Sequence, residues 1–350
     1  MIAIISVIIP TYNRASKLKK SLQSVQLQTF KDWEVIVVDD ASCDNTEEMI
    51  AQKRDEILNL VYIKNATNKG VSYSRNIGIK HARGKFIAFL DSDDEWYPFH
   101  LEESFNVLNE TNYQICSTLW DENHYGDKKF VGDFVWFKKL LIKLREELNI
   151  DPENILWKFK NNFFEFILKT GFYCFCINTV VVEKQILFDI GLFNEELRIN
   201  EDMDLLYRII SKYPLVTINR SHFIYNYGDD NLFAFVDRNN DPQSFSIETR
   251  ERLYQHLSSK ISFYQLLHER LTATHDIHKF NKPSEIFNSI NYNIVIRCLT
   301  IMSYMSNDKN DKRYIYYHRI AKHYANNEEL QFYIDNCENE EIFCNHFCLF

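Results

Sequence analysis

An apolar strand runs directly into a group of acids in the stretch FLDSDDEW, which covers Phe89 to Trp96. Asp91, Asp93 and Asp94 repel one another, and a desolvated carboxylate is costly unless it is paired or bound to a cation. This stretch alone permits two interpretations, a solvated turn before a helix or a cation site at the carboxyl end of a strand. The sequence on either side of it distinguishes them.

Predicted strands and helices alternate along the first part of the chain. The strands are apolar and rich in β-branched residues, as in IAIISVIIP, WEVIVVDD, LVYIKN and KFIAFL, and segments with helical spacing lie between them. Such alternation with short connections predicts an α/β fold with a Rossmann-like, mixed but mainly parallel sheet flanked by helices. Ligands bind at the carboxyl ends of the strands in such sheets, which is where the acids of FLDSDDEW fall.

The composition is that of a globular protein. The chain has 350 residues, of which 45% are hydrophobic and 25% charged, and its formal net charge of -9 argues against nucleic acid as the main partner. The 8 cysteines form no C-x-x-C pair, and MIAIISVIIP has no basic flank or cleavage site of a signal peptide. We therefore expect a cytoplasmic protein, with any membrane contact peripheral because no segment is apolar enough to span a bilayer.

Two regions differ in character along the chain. We predict a catalytic domain over residues 1–240 and a helical C-terminal region over 241–350. The second region could contact an acceptor substrate, a membrane or a second copy of this chain. Within the first, residues from about 126 to 170 are predicted to form a helical aromatic insert, which includes NILWKFKNNFFEFILKTG. The sequence leaves open whether the chain forms a homo-oligomer.

Five ordered blocks carry a family resemblance. They are SVIIPTYNR, TFKDWEVIVVDDAS, NKGVSYSRNIGI, GKFIAFLDSDDEW and INEDMDLLYR, and together they resemble family 2 of the nucleotide-sugar glycosyltransferases, which has the GT-A fold. The resemblance covers roughly residues 3–230. It implies an inverting hexosyltransferase that moves one sugar from a UDP-sugar to a hydroxyl of a glycan or lipid-linked oligosaccharide, in bacterial surface polysaccharide synthesis.

The same resemblance assigns roles to two groups of acids. DSDD corresponds to the family's D-x-D element, so Asp93 would bind Mn²⁺ or Mg²⁺ directly and Asp91 would assist through the ribose or a metal-bound water. We expect Asp94 to cap the following helix. In INEDMDLLYR, Asp202 would be the general base that takes the acceptor's proton, with Glu201 nearby as an acceptor contact or a group that tunes the pKa of Asp202.

Donor binding is expected at the strand ends. Tyr12 would pack on the base, although without the resemblance ordinary packing at a strand end is the better explanation of this residue. Asp40 would accept the uracil imide proton, and Arg14 and Arg75 would contact the base or the diphosphate. The backbone at Lys69 would approach the nucleotide. The full set of implied nucleotide contacts is Pro10, Thr11, Tyr12, Arg14, Asp39, Asp40, Lys69, Gly70, Arg75, Asp91 and Ser92.

Acceptor contacts are expected from Asn178, Thr179 and Trp96. The sequence departs from the family pattern at YNYGDDN, where Gly228 stands in place of the histidine that completes metal binding in many relatives. Asp229 or Asp230 could substitute for it, whereas we expect His222 to be structural.

The segment Lys309 to Tyr324 and the function of the chain each permit more than one interpretation. KNDKRYIYYHRIAKHY, Lys309 to Tyr324, has the composition of a helix that touches anionic lipid, but a solvated helix face has the same composition. The alternative functions are a sugar nucleotidyltransferase, which would normally have a glycine-rich loop that TYNRAS lacks, and a non-catalytic nucleotide-sugar-binding module.

Overall fold

The structure, a computed structural model, describes residues 3–170, 175–228, 247–273, 280, 283–305, 312–326, 330–331 and 334. Contacts group the chain into two compact units, one formed by Met1–Phe164 with Tyr173–Gly228 and the other by Glu165–Phe172 with Asp229–Phe350. The predicted boundary between residues 240 and 241 lies outside the described residues, as do Asp229 and Asp230.

The strands are β1 Ile5–Thr11, β2 Trp33–Asp39, β3 Leu60–Lys64, β4 Phe86–Phe89, β5 Glu95–Trp96, β6 Ile115–His124, β7 Asp127–Phe130, β8 Leu156–Phe159, β9 Val181–Glu183 and β10 Leu215–Tyr227. The helices are α1 Ala15–Gln26, α2 Thr46–Lys53, α3 Val71–His81, α4 His100–Glu110, α5 Val135–Leu148, α6 Asn162–Thr170, α7 Lys184–Asp189, α8 Glu201–Ile210, α9 Ile247–Ala273, α10 Pro283–Met305 and α11 Lys312–Tyr324.

The described strands form one sheet in the order β3-β2-β1-β4-β9-β6-β10-β5, with β7 beside β6 and β8 beside β10. β1, β2, β3 and β4 are parallel neighbours, and β10 runs parallel to β6. The antiparallel pairings, such as those of β9 and β5, are short. The predicted mixed, mainly parallel sheet with flanking helices is therefore confirmed.

The central strands β1 and β2 are buried because their sequences are continuously apolar or nearly so. Every residue of β1 and of β2 is buried, and because neighbouring side chains point to opposite faces, both faces of these strands are covered. α3 packs closely on β1 at Gly78, where an added Cβ would lie 2.5 Å from Ile8 Cγ2. This close approach places the first turn of α3 beside the carboxyl ends of the strands.

The insert is only partly helical, so its prediction was wrong over NILWKFK. Leu156–Phe159 forms β8, which pairs antiparallel with β10 through Phe159 and Leu215. Trp157 and Phe159 are buried while Lys158 between them is exposed, and this alternation is the period of a strand. The helix α6 begins only after β8.

Among its described residues, the second unit contains α9, α10 and α11 together with residues 165–170 of α6. α10 packs against both α9 and α11. Tyr317 on α11 is buried and donates its hydroxyl to Ser258 Oγ on α9 at 2.9 Å. None of the helices within the described ranges is both long enough and apolar enough to cross a membrane.

Candidate active site

Residues Asp91–Asp94, called here the acidic segment, follow β4 and are held by α1. Ser21 on α1 donates its hydroxyl to the carbonyl oxygen of Asp94 at 2.7 Å and lies 3.3 Å from that of Asp91. The turn is closed by the Asp94 N–H, which donates to the Asp91 carbonyl at 3.2 Å. The backbone of this turn is therefore fixed, while its side chains point toward several different elements.

Asn178, just before β9, orders two of these carboxylates. Its Oδ1 accepts the Asp91 N–H at 2.8 Å, and its Nδ2 lies 3.1 Å from both Asp91 Oδ2 and Asp94 Oδ2. The indole of Trp96 donates to the Asn178 carbonyl at 2.7 Å. All of these polar groups lie at least partly out of solvent, where an unpaired group would be costly, so Asn178 stabilises the segment that contains the acids.

Asp94 is a buried, structural acid. It is 1% exposed and accepts the backbone N–H of Asn226 on β10 at 2.8 Å. Burial raises the pKa of Asp94 well above its ordinary value, and the charges of Asp93 and Asp91 raise it further. The expectation that Asp94 caps the next helix was wrong, because the N-cap of α4 is Phe99 and Asp94 faces β10 instead.

Asp93 points to the N-terminus of α1. Arg14, the N-cap residue of that helix, places Nη1 2.8 Å from Asp93 Oδ2. Burial raises the pKa of Asp93 above its ordinary value, with Asp91 adding to the shift and Arg14 and Lys17 opposing it. The negative charge of Asp93 is thus only partly compensated, although Arg14 lies beside it.

A single buried arginine connects the acidic segment with α8. Arg75 on α3 donates from Nη2 to Asp91 Oδ1 and from Nη1 to Glu201 Oε1, each at 2.7 Å. It is 3% exposed, and its guanidinium lies 5.2 Å from the ring centre of Phe193. Burial lowers the pKa of Arg75, but the two carboxylates outweigh that effect and the net shift is upward. Arg75 is thus bonded to two acids in this structure, and its contact with the base or the diphosphate stays a prediction.

The first turn of α8 presents two adjacent acids. Asn200 adopts a left-handed conformation with φ 63, and the helix begins at the next residue, Glu201. Burial raises the pKa of Glu201 to about 7, with Asp202 adding to the shift and Arg75 opposing it. Burial also raises the pKa of Asp202, which Arg75 opposes and Asp91 increases. Asp202 therefore lies within electrostatic range of the acidic segment.

Asp204, the third acid of this turn, faces a different neighbour. Its Oδ2 accepts from Arg208 Nε at 2.9 Å and from Nη2 at 2.7 Å. Arg208 also donates to the carbonyl oxygens of Ile190 and Leu192. This pair anchors α8 to the preceding loop, and it leaves Glu201 and Asp202 as the acids directed to the site.

The ends of β1 and β2 are joined by hydrogen bonds. The Asn13 N–H donates to Ser42 Oγ at 2.8 Å, and Asn13 Oδ1 accepts the N–H of Cys43 at 2.8 Å. Pro10 and Thr11 are buried in β1, whereas Tyr12 is 46% exposed. Of the residues predicted at this edge, Tyr12 presents the largest accessible surface for stacking.

Asp39 and Asp40 are both buried, but they bind different groups. Asp39 accepts the Tyr62 hydroxyl at 2.6 Å and the Ser42 N–H at 2.8 Å. Asp40 accepts the backbone N–H groups of Lys69 and Gly70, the shortest at 2.7 Å. Gly70 has φ 93, a conformation that favours glycine. Asp40 thus fixes the loop before α3.

Comparison with known proteins identifies the family of this chain. A sequence model described as Glycosyl transferase family 2 matches residues 6–177. An uncharacterized glycosyltransferase of Methanocaldococcus jannaschii is 30% identical over 236 residues, which cover 64% of this chain and 77% of the relative. The chain belongs to glycosyl transferase family 2.

Two further comparisons differ in how much of each chain they cover. The Escherichia coli UDP-Glc:alpha-D-GlcNAc-diphosphoundecaprenol beta-1,3-glucosyltransferase WfgD is 38% identical over 137 residues, which cover 39% of this chain and 53% of that enzyme. The crystal structure of Staphylococcus aureus TarS 1-349 in complex with UDP-GlcNAc matches with a TM-score of 0.60 at 17% identity, covering 98% of this chain and 89% of that one. This chain spans from 32% to 58% of the length of several other curated relatives.

Family 2 enzymes often use a divalent metal, and the acidic segment has suitable donors. Asp91 and Asp93 offer oxygen ligands, which Mg²⁺ and Mn²⁺ prefer, usually one or two carboxylates together with substrate phosphate. The raised pKa of Asp93 reflects negative charge that a cation would neutralise. Among the described residues, no three His, Cys, Asp or Glu side chains are already grouped around a common point. The two carboxylates therefore fit a cation shared with a substrate.

The residues predicted to contact the acceptor of this family 2 enzyme are all buried. Asn178 is 1%, Thr179 0% and Trp96 3% exposed. The Thr179 hydroxyl donates to the carbonyl oxygen of Cys176 at 2.7 Å, and the Trp96 indole is bonded to Asn178. Asn178 supports the acidic segment directly and Trp96 supports it through Asn178, whereas Thr179 is bonded within the turn that precedes β9. Ser92, predicted near the nucleotide, is likewise 2% exposed.

Sequence reasoning missed two residues that shape the site. Asn226 lies in YNYGDDN, which was considered only for its missing histidine, yet its amide groups bind both Asp94 and the carbonyl oxygen of Asp93. Ser21 lies on α1 in a helical segment with no feature that marks it. The signal for Asn226 was its place in a block where many relatives carry a metal ligand.

Proposed function

We propose that this family 2 enzyme is an inverting hexosyltransferase that moves one sugar from a UDP-sugar to a hydroxyl of a glycan or lipid-linked oligosaccharide. The observation that carries the proposal is the double contact of Arg75. Its two terminal nitrogens bind Asp91 of the acidic segment and Glu201 of α8. Donor-binding acids and a base next to Glu201 then belong to one site, as glycosyl transfer requires.

The nucleotide in this proposal is UDP. The TarS complex contains UDP-GlcNAc, and the E. coli relative is named for UDP-Glc. In this proposal the ring of Tyr12, which is exposed, stacks on uracil, and Arg14, which lies beside Asp93, contacts the diphosphate. Asp40 holds the loop at Lys69 and Gly70 in position, and its contact with the uracil imide stays a prediction.

Asp202 acts as the general base. The acceptor hydroxyl attacks the anomeric carbon, its proton passes to the Asp202 carboxylate, and the bond to UDP breaks with its electrons remaining on the diphosphate. Attack opposite the leaving group inverts the configuration at that carbon. Burial raises the pKa of Asp202, which makes its carboxylate a stronger base than an exposed aspartate, and Arg75 keeps its ionised form accessible.

Asp91 and Asp93 would hold Mn²⁺ or Mg²⁺. When bound there, the cation would neutralise charge that develops on the departing diphosphate. Asn178 and Ser21 keep the two carboxylates on a fixed turn, so that donor binding requires little reordering of the protein. Asp94 supports this turn from the buried side.

The acceptor in this proposal is lipid-linked, at the inner face of the plasma membrane. The E. coli relative is named for a diphosphoundecaprenol acceptor. On α11, the exposed residues all lie on one helix face; they are Lys312, Ile315, Tyr316, Arg319, Lys322 and His323. The helix α11 contains no Asp or Glu, although the whole chain has a net charge of -9. Cations interspersed with exposed apolar side chains suit the headgroup region of an anionic bilayer.

The test is a donor panel read by UDP release. Purified protein would be incubated with UDP-glucose, UDP-galactose and their N-acetyl forms, with and without a short-chain N-acetylglucosaminyl diphospholipid. We expect one donor to give acceptor-dependent UDP release and a β-linked product, as read from the anomeric proton coupling. Pyrophosphate release from UTP and a sugar phosphate would instead indicate a nucleotidyltransferase, and donor binding without release under any condition would indicate a binding module.

A further inference from the structure

Arg75 is a buried cation between two elements that are distant in sequence. It lies 16 positions from Asp91 and 126 positions from Glu201, and it bonds to both at 2.7 Å. The ring of Phe193 covers one face of its guanidinium. An arginine that is 3% exposed and engaged through both Nη groups has little surface left for a substrate.

The two carboxylates depend on Arg75 to different degrees. Asp91 is also held by Asn178, which accepts its N–H at 2.8 Å and donates to its Oδ2 at 3.1 Å. The side chain that pairs with the Glu201 carboxylate in the described part of the chain is Arg75. Loss of the guanidinium would therefore leave Asp91 in place and release Glu201.

We propose that Arg75 is a positioning residue that connects the donor half of the reaction centre with the base half. By fixing Glu201 against Asp91, it sets the first turn of α8 and so the position of Asp202. This role rests on the proposed function, because it assumes that Asp202 removes the acceptor's proton. It differs from a donor contact, in which Arg75 would bind the base or the diphosphate.

The proposal predicts that replacement of Arg75 affects turnover but not the affinity for UDP. If Arg75 positions the base, its replacement lowers turnover while UDP still binds the acidic segment and the strand ends. If Arg75 contacts the donor, affinity for UDP falls together with turnover. A lysine offers one nitrogen in place of the two that Arg75 uses, so Arg75→Lys distinguishes the two-nitrogen bridge from charge alone.

The experiment measures UDP binding by calorimetry and acceptor-dependent UDP release for the wild type, Arg75→Lys and Arg75→Met. We expect the dissociation constant of UDP to change by less than about 3-fold and turnover to fall by about 100-fold, within the range of general-base catalysis. Arg83→Lys is the control, since Arg83 pairs with the buried carboxylate of Glu34 near the start of β2, away from the site; its turnover should stay within about 3-fold of wild type.

Arg75→Met leaves the buried carboxylate of Glu201 and the partly exposed one of Asp91 without this counter-charge, so an effect on folding has to be distinguished from an effect on turnover. The double variant Arg75→Met with Glu201→Gln removes one of those charges and should recover the melting temperature without recovering turnover. Guanidinium at millimolar concentration should restore part of the turnover of Arg75→Ala by filling the vacated space, which a generally misfolded protein would not allow.

Three results would overturn the proposal. They are a loss of UDP affinity as large as the loss of turnover, wild-type turnover in Arg75→Lys, and recovery of turnover by the double variant. An inactive wild type that fails to bind UDP would instead count against the proposed function itself. The calorimetric measurement on the wild type therefore distinguishes the two failures.

Discussion

Asn226 donates its backbone N–H to the Asp94 carboxylate at 2.8 Å across 132 positions of sequence. Its side-chain amide also donates to the carbonyl oxygen of Asp93 at 3.1 Å. The long strand β10 thus fixes the acidic segment that follows β4. Because Asp94 is used for this attachment, Asp93 and Asp91 remain as the carboxylates of the segment that a ligand can reach.

Replacing the proposed base should abolish transfer without preventing donor binding. In Asp202→Asn the amide cannot accept the acceptor's proton, so we expect turnover to fall by about 10²- to 10⁴-fold, the usual contribution of a general base. UDP affinity, measured by calorimetry, should be unchanged. The control is Glu196→Gln, an exposed acid of the preceding loop, which should retain full turnover. Near-native turnover in Asp202→Asn would exclude this residue as the base.

Turnover should rise with pH through the neutral range. The base must be ionised to accept a proton, and burial raises the pKa of Asp202 as well as that of Glu201, the latter to about 7. As pH is lowered from about 8 to 5 these acids take up protons, so kcat/KM should decrease over this interval. Glu201→Gln should move the midpoint to lower pH, because the two adjacent carboxylates repel one another and this variant removes one of the two charges. A profile that is flat over this interval would contradict the assignment.

Removal of divalent metal should suppress transfer. EDTA should lower the rate by more than about 10-fold, and Mn²⁺ or Mg²⁺ should restore it, since the cation offsets charge on the departing diphosphate. Asp93→Asn should weaken Mn²⁺-dependent binding of UDP, as followed by calorimetry with and without Mn²⁺. Asp55→Asn, at an exposed acid outside the site, serves as the control. A rate that is insensitive to EDTA would refute the metal proposal.

The exposed face of α11 should bind anionic membranes. Wild-type protein should float with vesicles containing phosphatidylglycerol at low salt and dissociate as salt is raised, because each cation near such a surface contributes about 1 kcal/mol. Reversing the charge at Lys312, Arg319 and Lys322 together should abolish flotation, whereas Lys128→Glu on the exposed strand β7 should not. Equal flotation of both variants, or none by the wild type, would remove the membrane assignment.

Stability should fall in acid because of a buried histidine pair. His100 and His222 are both 0% exposed, with their Nδ1 atoms 3.4 Å apart, and burial lowers the pKa of His100 well below its ordinary value of 6.5. The unfolded chain therefore binds a proton below pH 6.5 that the folded protein excludes, so the free energy of unfolding decreases as pH falls below 6.5, by about 1.4 kcal/mol per pH unit for each such histidine.

Urea unfolding at pH 5 and pH 7.5 measures this effect. His100→Asn lacks the titrating group and should lose less stability between the two pH values than the wild type does, even if it is less stable at both. His81, an exposed histidine on α3, gives the control His81→Asn, whose pH dependence should match that of the wild type. The same slope for His100→Asn and for the wild type would show that His100 does not carry the effect.

Local sequence was sufficient for the sheet and for the family. Unbroken apolar runs predicted β1, β2 and β4, and the acids that follow them were correctly placed at the ligand-binding edge of a parallel sheet. The prediction failed at NILWKFK, because the alternation in WKFK is too short to indicate a strand by itself and its strand character depends on pairing with β10. Local sequence also did not show that Trp96 and Thr179, which were expected to contact the acceptor, are enclosed by the fold.

The positions of the first strands, the acids that follow them and membership of family 2 follow from residue patterns that are read within a few positions of one another. Tertiary structure alone decided which acid meets which partner: Arg75 lies between Asp91 and Glu201, and Asp94 turns to Asn226. A charged group can lose its water only where a distant part of the chain supplies a counter-charge or a hydrogen bond, so these pairings become defined only after the whole sheet has formed.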